Sequence, residues 1–177
     1  MVEVNPFGPT RKNYHLQPGE VFVTTEDMMI TTVLGSCVAV CLFDPERLVA
    51  GMNHVMLPRM APGQSPSTRF GNVASFVLAE MMREHRCSLQ NLQVHVFGGA
   101  NGLGRLSADP EKSTMQVGRS NLEVTFNVLK KLNIKIDGQD VGGDTGRRVQ
   151  MDCRTGEIRM EFLRRFDFTH ELQPAKV

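Results

Sequence analysis

The sequence predicts an α+β fold, with stacked, largely antiparallel sheets and two main helices on one outer face. Three observations predict it. β-Branched and aromatic runs recur along the chain, about eight of them, each closed by Gly, Pro or Asp. Only two segments carry the apolar spacing of a helix. Helices so few cannot supply the crossovers of a βαβ repeat, so the strands must pair mainly with antiparallel neighbours.

Taken in order, residues 1–19 hold Pro6, Gly8, Pro9, Pro18 and Gly19 and read as an irregular arm. Residues 20–25 read as the first strand, and 29–34, with Ile30, Thr31, Thr32 and Val33, as the second. Gly35-Ser36 interrupts. A strand resumes over 38–43 and closes at Asp44-Pro45; the next, 49–57, closes at Pro58. Residues 58–67, rich in Pro, Ser and Gly, read as a surface loop. Residues 72–85 read as a helix with Val73, Phe76, Val77 and Met81 on one face, Asn72 as N-cap and Arg83 in the last turn. Residues 92–97 alternate as a strand into Gly98-Gly99. A second helix is expected over 121–131, with Leu122, Phe126 and Leu129 on one face and Ser120 and Glu123 at capping-box spacing. A short strand at 134–136 and a hairpin of 148–152 with 157–162 around Arg154-Thr155-Gly156 complete the set.

A chain of 177 residues suggests one domain. The expected division is an arm over 1–19, a single domain over 20–163 and a tail over 164–177. Hydrophobic residues make up 41% of the chain, enough for a core, and the formal net charge is +1. Such balance offers no electrostatic case for nucleic acid or an anionic membrane. No apolar run is long enough for a transmembrane helix, so no membrane insertion is expected. The N-terminus lacks a signal-peptide pattern, and a cytoplasmic protein is expected. The four cysteines, Cys37, Cys41, Cys87 and Cys153, are then expected as free thiols. No Cys-x-x-Cys occurs, and His85 with Cys87 finds no second ligand pair at zinc-like spacing, so no metal is expected.

The chemistry-bearing pattern is a cysteine just after the Gly35-Ser36 turn, with His54 in the following strand. A free thiol is mostly protonated at neutral pH, and an adjacent imidazole makes it a nucleophile. The same imidazolium can protonate a departing amine. A third group should hold the ring by accepting from its other nitrogen. Thr31, Thr32, Asn53 and a backbone carbonyl are all candidates. Gly35 and Ser36 suit a backbone that approaches substrate closely, with the N–H of Cys37 or a neighbour aimed at an oxyanion. The plainer readings stand beside these. A cysteine in a β-rich run is more often a small buried hydrophobe, as Cys41 is read here, and threonines suit strands for packing alone. Gly98-Gly99-Ala100-Asn101 and Gly142-Gly143 are turns or cleft-lining segments. The Arg147-Arg148 pair is a solvated or carboxylate-paired site.

The block Leu34-Gly35-Ser36-Cys37-Val38-Ala39-Val40-Cys41-Leu42, with Gly51-Met52-Asn53-His54-Val55-Met56-Leu57-Pro58, resembles the CheD family of chemoreceptor glutamine deamidases. Val96-Phe97-Gly98-Gly99-Ala100-Asn101 and Asp140-Val141-Gly142-Gly143-Asp144-Thr145-Gly146-Arg147-Arg148 agree with it, and the resemblance spans residues 20–162. It implies an α/β/β layer order and a protein-glutamine glutaminase, a hydrolase acting on methyl-accepting chemotaxis proteins. Hydrolysis of receptor methyl esters in the same cleft, and regulation by the phosphatase CheC, come with it. Cys37 would be the nucleophile and His54 the base. Of the third-group candidates the family pattern selects Thr31. No cofactor is implied. The competing readings are another cysteine amidase or peptidase, a non-catalytic chemotaxis binding module, and a structural zinc protein.

Overall fold

The computed structural model describes residues 11–101 and 114–163. In chain order the elements are β1 (Lys12–His15), β2 (Val21–Thr24), β3 (Met28–Leu34), β4 (Val38–Asp44), β5 (Val49–Asn53), α1 (Gly71–Glu84), β6 (Gln93–Gly98), α2 (Thr114–Lys131), β7 (Gly138–Val141), β8 (Arg147–Asp152) and β9 (Ile158–Phe162). They form a four-stranded sheet, β1-β3-β8-β9, and a five-stranded sheet, β2-β5-β4-β6-β7. Among these pairings only β1–β3 and β6–β7 are parallel. Both helices lie on one face of the five-stranded sheet, and the four-stranded sheet covers the other. The expected α+β layering, with two outer helices, is the one observed.

β4 is buried along its whole length because it sits between both layers. Val38, Val40 and Leu42 point to the helices, where they meet Leu78, Ala79, Met82 and Leu129. Ala39, Cys41 and Phe43 point to the second sheet, where they meet Ile30, Leu34, Val149 and Met151. A strand covered on both faces reads as an unbroken apolar run rather than an alternating one.

Several local expectations are corrected. Lys12–His15, inside the segment read as an irregular arm, forms β1 and pairs with β3. A four-residue edge strand flanked by prolines carries too little pattern to show in sequence; residues 1–10 and the tail 164–177 lie outside the described residues. The short strand expected at 134–136 falls later, at β7, because Asp137 takes both backbone partners of Val94: its N–H donates to the Val94 carbonyl and its carboxylate accepts the Val94 N–H. Ile134 and Ile136 pack into the core instead. Regular pairing after Val49 stops at Asn53 rather than running to Leu57.

The two helices form where expected but differ in detail. The α1 N-cap is Phe70, and the Asn72 side chain accepts from the Met60 N–H at 3.1 Å. The buried face of α1 is Gly71, Ala74, Ser75, Leu78, Ala79 and Met82, which leaves Phe76 49% exposed. Small residues face the sheet because they let the helix backbone come close; apolar bulk alone picks the wrong stripe. α2 starts at Thr114, so Ser120 and Glu123 lie inside the helix and cap nothing. Its expected face holds: Leu122, Phe126 and Leu129 all pack on the core. Arg147 is buried and paired with Asp140 at 2.6 Å, so the carboxylate-paired reading applies to it.

Candidate active site

The site grows from the register of β4 on β5. Cys41 faces Met52 and Leu42 faces Gly51, and beyond the strand Val38 and Val55 exchange both backbone hydrogen bonds. In that register His54 lies opposite Ala39, and Cys37 opposite Met56. Side chains alternate along a strand, so Cys37, Ala39, Cys41 and His54 share the face turned to the second sheet. Cys37 and His54 are diagonal neighbours on it, a relation that spans about 7–8 Å between backbones in a regular sheet and lies within reach of long side chains.

One polar residue opens the ladder beside them. Asn53 Oδ1, not its carbonyl, accepts the Val40 N–H at 2.8 Å. Its amide also contacts Ser75 Oγ of α1 at 3.4 Å. Asn53 therefore points to the helix layer, away from His54, and is not the group that holds the imidazole.

That group is Thr32. Its Oγ1 lies 2.8 Å from His54 Nδ1, and its hydroxyl donates to the Leu16 carbonyl at 2.9 Å. A hydroxyl has one proton, and here it goes to Leu16, so Thr32 accepts from the ring. Nδ1 is thus the protonated nitrogen and Nε2 carries the lone pair. Nε2 is buried and has no hydrogen-bond partner among the described residues. It is the ring nitrogen left open to accept a proton.

Thr31, the residue the family pattern selects, points the other way. Its hydroxyl donates to Asn13 Oδ1 at 2.9 Å. The reason is strand parity. Ile30 and Leu34 belong to the layer between the sheets, and Thr32 shares their parity. Thr31 shares that of Met29 and Val33, on the outer face of the sheet. Sequence left four candidates; both parities of the strand are apolar, with Met28, Ile30 and Leu34 on one and Met29 and Val33 on the other, so the stacking of the sheets is what separates the two threonines. The Leu16 carbonyl, supplied just after β1, had no signal at all.

Burial sets the protonation state of both partners. Desolvation pushes the Cys37 thiol up to about 11. His54, 2% exposed, is lowered to about 4, first by desolvation, with the nearby Leu16 backbone opposing. At neutral pH the resting pair is therefore thiol and neutral imidazole. The three other cysteines are buried free thiols, each raised by desolvation. Among the described residues, no three His, Cys, Asp or Glu side chains gather to hold a metal ion.

Among the described residues, the N–H groups of Ser36 and Cys37 have no hydrogen-bond partner. The Val38 N–H is taken by the Val55 carbonyl. The Cys37 carbonyl accepts from Gly99 N–H at 2.7 Å, but the reciprocal bond from Cys37 N–H to the Gly99 carbonyl is not formed. Gly98 and Gly99 have φ of 104° and 69°, which turns the strand end away. Gly98 has no substitute here: a Cβ on it would lie 2.2 Å from the Cys37 oxygen. The Gly35 carbonyl accepts from Ala100 N–H at 2.9 Å. Gly35 thus shapes the turn, and Ser36, half-buried, lies beside the thiol.

This arrangement has relatives. A family model described as CheD chemotactic sensory transduction matches residues 56–162, a span that begins after His54. A Sulfurimonas denitrificans protein named probable chemoreceptor glutamine deamidase CheD is 32% identical over 154 residues, 87% of this chain and 96% of its own. A Trichlorobacter lovleyi protein of the same name is 38% identical over 150 residues, 85% of this chain and 89% of its own. A Ralstonia pickettii protein of that name is 35% identical over 166 residues, 92% of this chain and 68% of its own. A solved Bacillus licheniformis chain, hypothetical protein YfiH, is 11% identical with a TM-score of 0.46 over 70% of this chain and 51% of its own, too slight a likeness to argue from. The relatives' alignments run over most of this chain, and the family model takes up most of the remainder past the histidine; the chain belongs to the CheD family.

Proposed function

We propose that this protein is a chemoreceptor glutamine deamidase that works through a thioester on Cys37. The observation that carries the mechanism is His54, with Nδ1–H held by Thr32 and a bare Nε2, on the same sheet face as a half-buried thiol. The names of the relatives support the substrate class.

In the first half, His54 Nε2 takes the Cys37 proton as sulfur attacks the side-chain amide carbon of a receptor glutamine. The carbonyl electrons move onto oxygen, where the Cys37 N–H stabilises them. The oxyanion collapses to a thioester, and ammonia leaves with the proton from the His54 imidazolium. In the second half, His54 deprotonates water, hydroxide attacks the thioester, and the Cys37 thiol returns. The receptor keeps a glutamate. The Thr32–Leu16 chain holds one ring nitrogen protonated throughout, so the other stays available for both transfers. A glutamate methyl ester would pass through the same thioester with methanol in place of ammonia, which makes receptor methylesterase chemistry a companion activity. The reading places the enzyme in the cytoplasm with receptor signalling domains, and makes the phosphatase CheC a candidate regulator. No helix among the described residues is long and apolar enough to cross a membrane.

The test is mass spectrometry of a chemoreceptor cytoplasmic fragment incubated with wild-type protein or Cys37→Ala. The expected result is a gain of about one mass unit at particular glutamines, NH₂ replaced by OH, with wild type only. Equal products from both proteins would remove Cys37 from the chemistry. Binding without a mass shift would leave a non-catalytic module.

A further inference from the structure

The peptide units around the thiol are pinned one by one. Gly35 and Cys37 have their carbonyls held by backbone N–H groups of Ala100 and Gly99. Between them, the Ser36 carbonyl is held by a side chain: Asn121 Nδ2 of α2 donates to it at 3.0 Å. The same nitrogen donates to the carbonyl of Met56, opposite Cys37 in the register, at 3.1 Å. Asn121 is 0% exposed. Two carbonyls in front of the amide demand its NH₂ end, and its Oδ1 is left buried without a partner among the described residues.

The Ser36 carbonyl and the Cys37 N–H belong to one peptide plane. In a trans unit the two point in opposite directions, and the described chain holds no cis peptide bond. We infer that Asn121 is a positioning residue of the deamidation site, which holds the Ser36–Cys37 peptide in the orientation that presents the Cys37 N–H to the oxyanion. Without that hold the plane can rotate and present a carbonyl oxygen where negative charge develops. The helix comes near enough because of Gly118, whose added Cβ would lie 2.6 Å from the Gly99 oxygen and 2.7 Å from the Ala100 oxygen. A larger residue there pushes α2 outward and lifts Asn121 from the turn.

The inference rests on the deamidase reading and deepens it. Two reactions of the same sulfur separate positioning from plain structure. Glutamine deamidation passes through an oxyanion; alkylation of Cys37 by iodoacetamide displaces iodide and forms none. Cys41, Cys87 and Cys153 are buried, so iodoacetamide reads Cys37. Asn121→Ala and the isosteric Asn121→Asp should each deamidate about 100- to 1000-fold more slowly, the loss expected for one oxyanion donor. Their alkylation rates, and the pH dependence of those rates, should stay within about threefold of wild type, since no oxyanion is involved. Wild-type deamidation matched by both variants overturns the inference and leaves the deamidase reading standing. Deamidation, alkylation and melting temperature falling together in both variants overturn it in favour of a structural role. A wild-type protein that leaves every receptor glutamine intact overturns the deamidase reading, and the oxyanion role with it.

Discussion

The five-stranded sheet has two buried faces, and they differ in kind. Its helix face is filled by aliphatic side chains such as Val38, Val40, Leu42, Leu78 and Leu129. The face toward the second sheet is richer in sulfur, with Met28, Cys41, Met52, Met151 and Cys153, and it buries Thr32 and His54 at the same level. The helix face is chiefly apolar burial, with the amides of Asn53 and Asn121 engaged on nearby backbone groups. The other must satisfy an imidazole, and does so through Thr32 and Leu16 while leaving Nε2 open. The same strands thus hold the fold together on one side and hold an imidazole out of water on the other. Stability and chemistry should therefore separate when the faces are perturbed one at a time.

The largest separation is expected at the thiol. Cys37→Ala should abolish deamidation with an unchanged melting temperature, because a thiol-to-methyl change at a half-buried position is small. His54→Ala should slow turnover by roughly 100- to 10,000-fold, the range of general acid–base catalysis; near-normal turnover would falsify its role as base. On the helix face, Leu78→Ala should lower stability by about 2–5 kcal/mol through lost burial and a cavity. Chemical denaturation would measure it, and turnover per folded molecule should hold. A large loss of specific activity there would mean the faces are coupled.

Smaller effects sharpen the choice between the threonines. Thr32→Val removes the acceptor of the His54 Nδ1–H and should slow turnover about 10- to 100-fold, as loss of a histidine's orienting partner does elsewhere. Thr31→Val should change it much less, and the reverse order would return the family-selected Thr31 to the site. The smallest effect is on stability against pH. The imidazole stays neutral in the fold down to about 4, whereas an unfolded histidine titrates near 6.5. Between those values the unfolded state binds more protons, so stability rises with pH across that window. Cys37 works in the opposite sense: with its thiol raised to about 11 in the fold, stability is full below the unfolded thiol's value and falls as pH rises beyond it. Urea midpoints between pH 4.5 and 7 should show a flatter slope in His54→Gln than in wild type, because the variant lacks the imidazole that the fold keeps neutral across that range.

Much of this was legible in sequence where a residue's own chemistry decides. The strand 38–43 was readable as a continuous apolar run, and it is buried along its length. The Gly35-Ser36 turn beside Cys37 was readable because glycine and serine break a run of β-branched residues there, and His54 follows directly after the next strand. What escaped notice was decided by neighbours. The face of α1 is not legible from apolar spacing because Ala74, Ser75 and Ala79 are small, and closeness to the sheet, not apolar bulk, selects them. β1 was missed because an edge strand gains its order from the strand beside it.

The sequence by itself determined the layer architecture and the placing of Cys37 after a Gly-Ser turn with His54 along the neighbouring strand, since these follow from periodicity and turn chemistry along one strand pair. Only the tertiary structure decided that Thr32 and not Thr31 meets the imidazole, that the Leu16 carbonyl closes the relay, and that Asn121 reaches the Ser36 carbonyl across 85 positions of chain. The physical reason is that a hydrogen bond needs a partner in space. Parity between stacked sheets and the approach of a distant helix set that partner, and neither is written in local order.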